Sequence, residues 1–291
     1  MIKEPWVWLI KGAAMGAADA VPGVSGGTIA LITGIYERFI GALASFRPSL
    51  WRFIRVGDFR GLWQAIDGQF LAFLGAGILV SLFSVLSLMD YLLSTAAPVV
   101  WSFFMGVILV SLWQLSRGRS WRWQDALLLT GGLAISLFFA TAPAPAADVT
   151  VTVTPLTLVL GGMLAISAML LPGISGSFML VLLGLYPVVV AAVHDRNLMV
   201  VLWVGLGCLI GILSFSRFLQ WLLHNWHERV ISFMLGFVAG ALVKVWPWQD
   251  SGRWLMPKQY SDVTQLDSWL LFSLIAIISG VLIGNLMRKR S

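Results

Sequence analysis

Pro22-Gly23-Val24-Ser25-Gly26-Gly27-Thr28 and Pro172-Gly173-Ile174-Ser175-Gly176-Ser177 write one short signal, Pro-Gly-apolar-Ser-Gly-small, twice into strongly apolar sequence. Pro and Gly interrupt helices. A backbone N–H or C=O left open to hydrocarbon costs several kcal/mol, so irregular backbone among apolar runs survives only where protein, water or a ligand satisfies it. Two such breaks point to a binding site.

The surroundings set the class. Of 291 residues, 59% are hydrophobic and 11% charged, and the mean hydropathy is +0.89; a soluble domain carries about 25% charged residues. Many of the 15 Trp stand at the ends of apolar runs (Trp6, Trp8, Trp121, Trp123, Trp226, Trp246, Trp248, Trp269), where amphipathic rings favour the headgroup layer. The chain reads as an all-α, multi-pass membrane protein. Its net charge of +6 lies mainly beside apolar runs, a topology signal rather than a nucleic-acid surface. The lone Cys208 excludes an internal disulfide and a multi-thiolate metal site. Trp6 to Ile10 is too short for a signal-peptide core, so the N-terminus is expected to stay.

Working outward, runs long enough to cross (about 20 residues) fall near 69–93, 98–116, 125–142, 198–223, 230–246 and 268–287. Each Pro-Gly break has an apolar arm before it (about 6–21 and 156–171) and one after it (about 26–46 and 175–193), which reads as a re-entrant helical hairpin. Arginines then orient the chain. Arg47, Arg52, Arg55 and Arg60 share the loop 47–68, Arg117, Arg119 and Arg122 the loop 117–124, and Arg288-Lys289-Arg290 the C-terminus; one assignment makes all three cytoplasmic. Asp90 then sits near the outer end of its span. The segment 48–63, with Trp51, Phe53, Phe59 and Trp63 among its arginines, suits either a membrane surface or a solvated loop.

Internal comparison extends the pairing. At an offset of 150, Pro22/Pro172, Gly23/Gly173, Ser25/Ser175, Gly26/Gly176, Gly34/Gly184 and Tyr36/Tyr186 coincide; at 130, Gly75/Gly205, Gly77/Gly207, Ser84/Ser214, Ser102/Ser232, Phe103/Phe233 and Gly106/Gly236 do. The organisation expected is a first repeat over 1–142, an outward linker over 143–155 and a second repeat over 156–291. Each repeat is one hairpin plus three spans. Three is odd, so the second repeat starts on the opposite face, an inverted-topology duplication of the kind that brings broken helices together in transporters.

At the breaks, glycine N–H groups followed by a helix suit an anion, phosphate above all. Ser25, Gly26, Gly27 and Thr28 are the candidates in the first copy, with Ser175, Gly176 and Ser177 in the second. Neither copy brings its own lysine, which rules out a Walker loop. Gly23-Val24-Ser25-Gly26-Gly27 formally matches a nucleophile elbow but has neither a preceding strand nor a nearby His, and Ser177 breaks the pattern in the second copy. Ionisable residues within apolar runs are functional candidates: Asp19, Glu37 and Arg38 for coupling or gating, and Arg217 either as a phosphate counter-charge or as a side chain snorkelling to the surface. Protons or sodium are the ions such coupling would use. No cofactor and no metal are expected.

Ala18-Asp19-Ala20-Val21-Pro22-Gly23-Val24-Ser25-Gly26-Gly27-Thr28, then Gly34-Ile35-Tyr36-Glu37, then Leu171-Pro172-Gly173-Ile174-Ser175-Gly176-Ser177, resembles the bacterial undecaprenyl-phosphate (polyprenyl-phosphate) translocases of the PopT type. That resemblance implies a flippase of the bacterial cytoplasmic membrane that returns the carrier lipid to the inner leaflet for peptidoglycan and other envelope polymers. Its partners would be the polyprenyl-phosphate lipid and the bilayer, with a homodimer open. The halves differ at two positions, Met169 standing opposite Asp19 and Pro187 opposite Glu37, so a coupling carboxylate belongs to the first. An ion-coupled small-anion transporter and a membrane enzyme acting on lipid phosphates are the alternatives.

Overall fold

The structure is a computed structural model that describes residues 5–21, 24–117, 119–141, 153–250 and 253–289. Pro22 and Gly23, most of the expected linker 143–155, the Asp90 side chain and Arg290 lie outside the described residues.

Helix α1 (Pro5–Asp19) starts on a proline whose missing N–H costs nothing at a first position. It is followed by α2 (Gly26–Ile32) and α3 (Tyr36–Ala44). The basic segment holds a 3-10 turn, Pro48–Leu50, then α4 (Trp51–Val56) and α5 (Phe59–Ala65), none with a buried residue. Helix α6 (Gly68–Ser116) and α7 (Trp123–Thr141) complete the first half. There follow α8 (Pro155–Leu170), α9 (Gly176–Leu182), α10 (Tyr186–His194), α11 (Leu198–Ala241) and, after a 3-10 turn at Leu242–Val245, a two-residue-strand hairpin and α12 (Pro257–Thr264), then α13 (Leu270–Lys289). The short hairpin, Gln249–Asp250 with Arg253–Trp254, is a small addition to the all-α expectation. Among the described residues five helices are long and apolar enough to cross a membrane, or up to seven if each bent pair counts as one span.

Each arm after a break is itself bent. Helices α2 and α3 meet at 120°, α9 and α10 at 113°. Gly34 (φ 72°) and Gly184 (φ 68°) close α2 and α9 in the left-handed conformation that glycine adopts without strain. Ile35 N–H then donates back to the Ala30 carbonyl, as Leu185 does to Leu180. The Gly34/Gly184 coincidence marks this second bend, which the single arms 26–46 and 175–193 did not anticipate.

The long helices break at matching points. Ala96 in α6 (φ −142°, ψ 43°) and Trp226 in α11 (φ −136°, ψ 41°) leave helical geometry 130 residues apart. Thr95 Oγ1 donates to the Tyr91 carbonyl at 2.7 Å and Asn225 Nδ2 to the Trp221 carbonyl at 2.8 Å, so in both helices the residue before the break bonds back one turn along the chain. Pro98 adds a missing donor on the α6 side.

Glycines set how closely these helices approach. A Cβ at Gly12 would fall 2.1 Å from the Leu74 carbonyl oxygen, and one at Gly77 2.1 Å from that of Leu9; Gly162 with Val204 and Gly207 with Val159 repeat the pair between α8 and α11. The last helix of each half packs on the other half. Gly132 faces Phe233 and Gly236 faces Leu129 between α7 and α11, as Gly280 faces Phe103 and Gly106 faces Ile277 between α13 and α6. Lipid supplies no hydrophobic drive between helices, so such small-residue approaches, which maximise dispersion contact, hold them together. The core gathers on α2 and α3, where Tyr36, Ile32 and Ile40 pack with Phe70 and Leu74 of α6 and Leu219 and Met234 of α11.

Candidate functional site

The two breaks have unequal surroundings. In the first, Ser25 and Thr28 are 1% and 2% exposed; in the second, Ser175 is half-buried and Ser177 exposed. The difference follows from what each polar group meets.

Asp19, at the end of α1, accepts the Gly26 N–H on Oδ1 at 2.7 Å and so occupies the start of α2. Ser25 Oγ accepts from Gly27 N at 3.2 Å and donates to the Met169 carbonyl at 3.4 Å. Thr28 Oγ1 accepts the Gly173 N–H at 2.8 Å, and the buried Tyr36 hydroxyl donates to the Leu170 carbonyl at 2.8 Å. The missing side chains of Gly26 and Gly27 serve the same packing: a Cβ at Gly26 would stand 2.5 Å from Asp19 Oδ2, and one at Gly27 3.0 Å from the Met169 oxygen. Among its described residues the first break is thus satisfied internally. Its side chains also hold the backbone of the second.

At the second break no carboxylate stands where Asp19 stands in the first. Gly173 turns the chain at φ 94° beneath Phe237 and Ala241 of α11. Ser175 Oγ and Ser177 Oγ lie 2.7 Å apart, and Ser175 makes no side-chain cap to α9. Two hydroxyls that, among the described residues, bond only to one another at an accessible break can turn to a phosphate oxygen.

The remaining candidates are structurally distributed. Arg38 forms a two-bonded pair with Asp67 (2.6 and 2.9 Å) while its guanidinium lies over Trp8 (4.4 Å) and Phe70 (4.5 Å), anchoring the base of the first hairpin. Glu37 Oε1 meets His227 Nε2 at 2.8 Å beside the Trp226 break. Arg217 donates to the Phe46 carbonyl at the end of α3, near the Arg47–Gln220 contact. These join α3 to α11. Arg119 adds a 2.7 Å pair with Glu228 and a 3.0 Å bond to Ser232, which donates to Asp125 of α7.

Two lysines of the site region escaped the sequence reading. Lys11 in α1 is 3% exposed and donates to the Thr33 carbonyl at 2.7 Å, bracing α2. Lys244, just after α11, places Nζ 3.2 Å from the centre of the Phe178 ring in α9. Each is a single cation in an apolar run, the criterion that selected Asp19. Among the described residues, no group of three His, Cys, Asp or Glu could hold a metal.

The VCA0040-like, undecaprenyl phosphate translocase-like family matches residues 15–263, which include both breaks. The chain belongs to that family. A protein of Vibrio cholerae serotype O1 named polyprenyl-phosphate transporter is 37% identical over 287 residues, covering 94% of this chain and 92% of its own. One of Staphylococcus aureus with the same name is 34% identical over 257 residues, covering 83% and 86%. Both relatives are named as transporters rather than enzymes, as the resemblance of the motif implied. No solved structure matches the chain.

Proposed function

We propose that this protein carries a polyprenyl phosphate, undecaprenyl phosphate in the first instance, from the outer to the inner leaflet of the bacterial cytoplasmic membrane, where the carrier serves peptidoglycan and related polymers. The observation that carries the reading is the inequality of the breaks. One is buried and holds its own carboxylate against α2; the other presents the Ser175–Ser177 hydroxyl pair without a carboxylate. The headgroup phosphate engages the second break, while the polyprenyl tail stays in lipid. The names of the relatives support the substrate class.

Residues 1–142 and 156–291 act as inverted repeats that rock about this site, with the C-terminus and the loops 47–68 and 117–124 cytoplasmic. The matched breaks at Ala96 and Trp226 and the reciprocal glycine contacts support the duplication. In the alternating-access cycle the contacts of Glu37 with His227 and of Arg217 with Phe46 form the closed side, and Asp19 is the carboxylate available for proton or sodium coupling. The test is leaflet exchange of labelled undecaprenyl phosphate in vesicles holding the purified protein. Replacing both Ser175 and Ser177 by Ala is expected to slow it at least tenfold; an unchanged rate would remove the phosphate from this break.

A further inference from the structure

We propose that Lys244 is the headgroup's counter-ion, an ammonium held on the Phe178 ring that moves onto the dianionic oxygens of a phosphate monoester at Ser175 and Ser177. The inference rests on the reading of the second break as the headgroup site and names the cation that the break itself lacks.

Three observations converge on it. The end of α11, which leads into the 3-10 turn bearing Lys244, abuts the break, since a Cβ at Gly173 would meet Phe237 at 3.1 Å and Ala241 at 3.3 Å, three residues before Lys244. Phe178 follows Ser177 directly, and Lys244 Nζ stands 3.2 Å from its ring centre. Among the described residues Lys244 has no carboxylate partner, whereas Arg38, Arg119 and Arg253 each have one. An ammonium resting on an aromatic face retains most of its capacity for a stronger partner, because the ring offers a quadrupole and no hydrogen-bond acceptor. A lysine head is a compact point charge with three rotatable donors on a flexible stem, so it can leave the ring and meet phosphate oxygens without rearranging α11.

The chemistry also explains the asymmetry of the halves. In the first break a fixed carboxylate bonds the Gly26 amide; in the second, Ser175 and Ser177 bond one another and a cation rests on the ring of the next residue, Phe178. The first repels a phosphate and the second attracts one. The same recognition would serve a lipid headgroup or inorganic phosphate, and neither an alcohol headgroup nor a neutral polyprenol.

The experiment compares wild type, Lys244→Met and Lys244→Arg for retention of undecaprenyl phosphate, undecaprenol and inorganic phosphate by the purified protein, with thermal unfolding as the folding control. Wild type is expected to retain undecaprenyl phosphate over undecaprenol. Lys244→Met should lose at least tenfold in phosphate-lipid retention with undecaprenol unchanged, and Lys244→Arg should recover part of that loss. Equal retention of the phosphate lipid by wild type and a folded Lys244→Met would overturn the role of Lys244 and leave the transport reading standing. Retention of inorganic phosphate alone, still dependent on Lys244, would uphold the cation and overturn the lipid. No retention of either phosphate by wild type would overturn both. Should Lys244→Met not fold, Phe178→Leu tests the same point: release of the ammonium from the ring should preserve or tighten phosphate retention, and a tenfold loss would contradict the proposal.

Discussion

Asp19 accepts the amide hydrogen of Gly26 at 2.7 Å across the first break, in the place where an anionic ligand would otherwise meet the start of α2. Met169 stands at the equivalent position in the second half, and its side chain carries no carboxylate. Replacing Asp19 by Ala removes a half-buried carboxylate acceptor and is expected to destabilise the protein by about 1.5–3 kcal/mol. Asn keeps an acceptor oxygen and should recover roughly half. Thermal unfolding in detergent measures both.

Thr28 and Tyr36 join the halves by accepting from Gly173 and donating to Leu170. Thr28→Val leaves the Gly173 N–H without its acceptor, at a cost of about 1–3 kcal/mol. Tyr36→Phe should cost less, about 0.5–1.5 kcal/mol, since it removes the donor and leaves a carbonyl. A double-mutant cycle read by unfolding is expected to show coupling between the two; strict additivity would mean that they act on the second break separately.

Glycines predict a sharp contrast within single helices. A Cβ at Gly236 would fall 1.9 Å from the Leu129 carbonyl oxygen, while Gly75, Gly131 and Gly205 have nothing within 4 Å. Gly236→Ala should force α7 and α11 apart and destabilise by about 1–3 kcal/mol or more. Gly75→Ala and Gly205→Ala should be neutral or stabilising by up to about 1 kcal/mol, through helix propensity alone. Melting temperatures of the three variants decide it.

His227 lies at the Trp226 break, beyond the apolar lengths of α11. Burial lowers its pKa, but the hydrogen bonds and charges of Glu37 and Glu228 outweigh it, so His227 titrates above its usual 6.5. Arg119 faces the same group by pairing with Glu228. A raised folded-state pKa stabilises the contact fully below the unfolded value and loses that contribution as the pH rises through the folded value. Wild-type stability relative to His227→Gln is therefore expected to fall as the pH rises from below 6.5 through the raised folded-state value. A constant difference in melting temperature across that range would show that the imidazolium contributes nothing.

Much of this architecture was legible in the sequence. The helical, membrane-spanning character rests on composition and glycine placement, which constrain backbone directly, although the six runs expected to cross become five long helices, or up to seven spans with the bent pairs; Gly77 and Gly207, 130 residues apart, make matching approaches to Leu9 and Val159. The site was less legible. Sequence makes Ser25 and Ser175 equivalent, yet a hydroxyl's partner depends on what packs across from it, and only the fold brings Met169, Leu170 and Gly173 against the first hairpin. Lys244 was obscured for a similar reason, since its ring partner Phe178 is distant in sequence and close in space.

The central claim is that the chain moves a polyprenyl phosphate between leaflets, and leaflet-resolved exchange measures it most directly. Labelled undecaprenyl phosphate is placed in the outer leaflet of vesicles with and without the purified protein, and its loss from that leaflet is followed with time. The account predicts exchange well above that of protein-free vesicles, reduced by the Ser175→Ala/Ser177→Ala pair. Exchange no faster than in protein-free vesicles would contradict it.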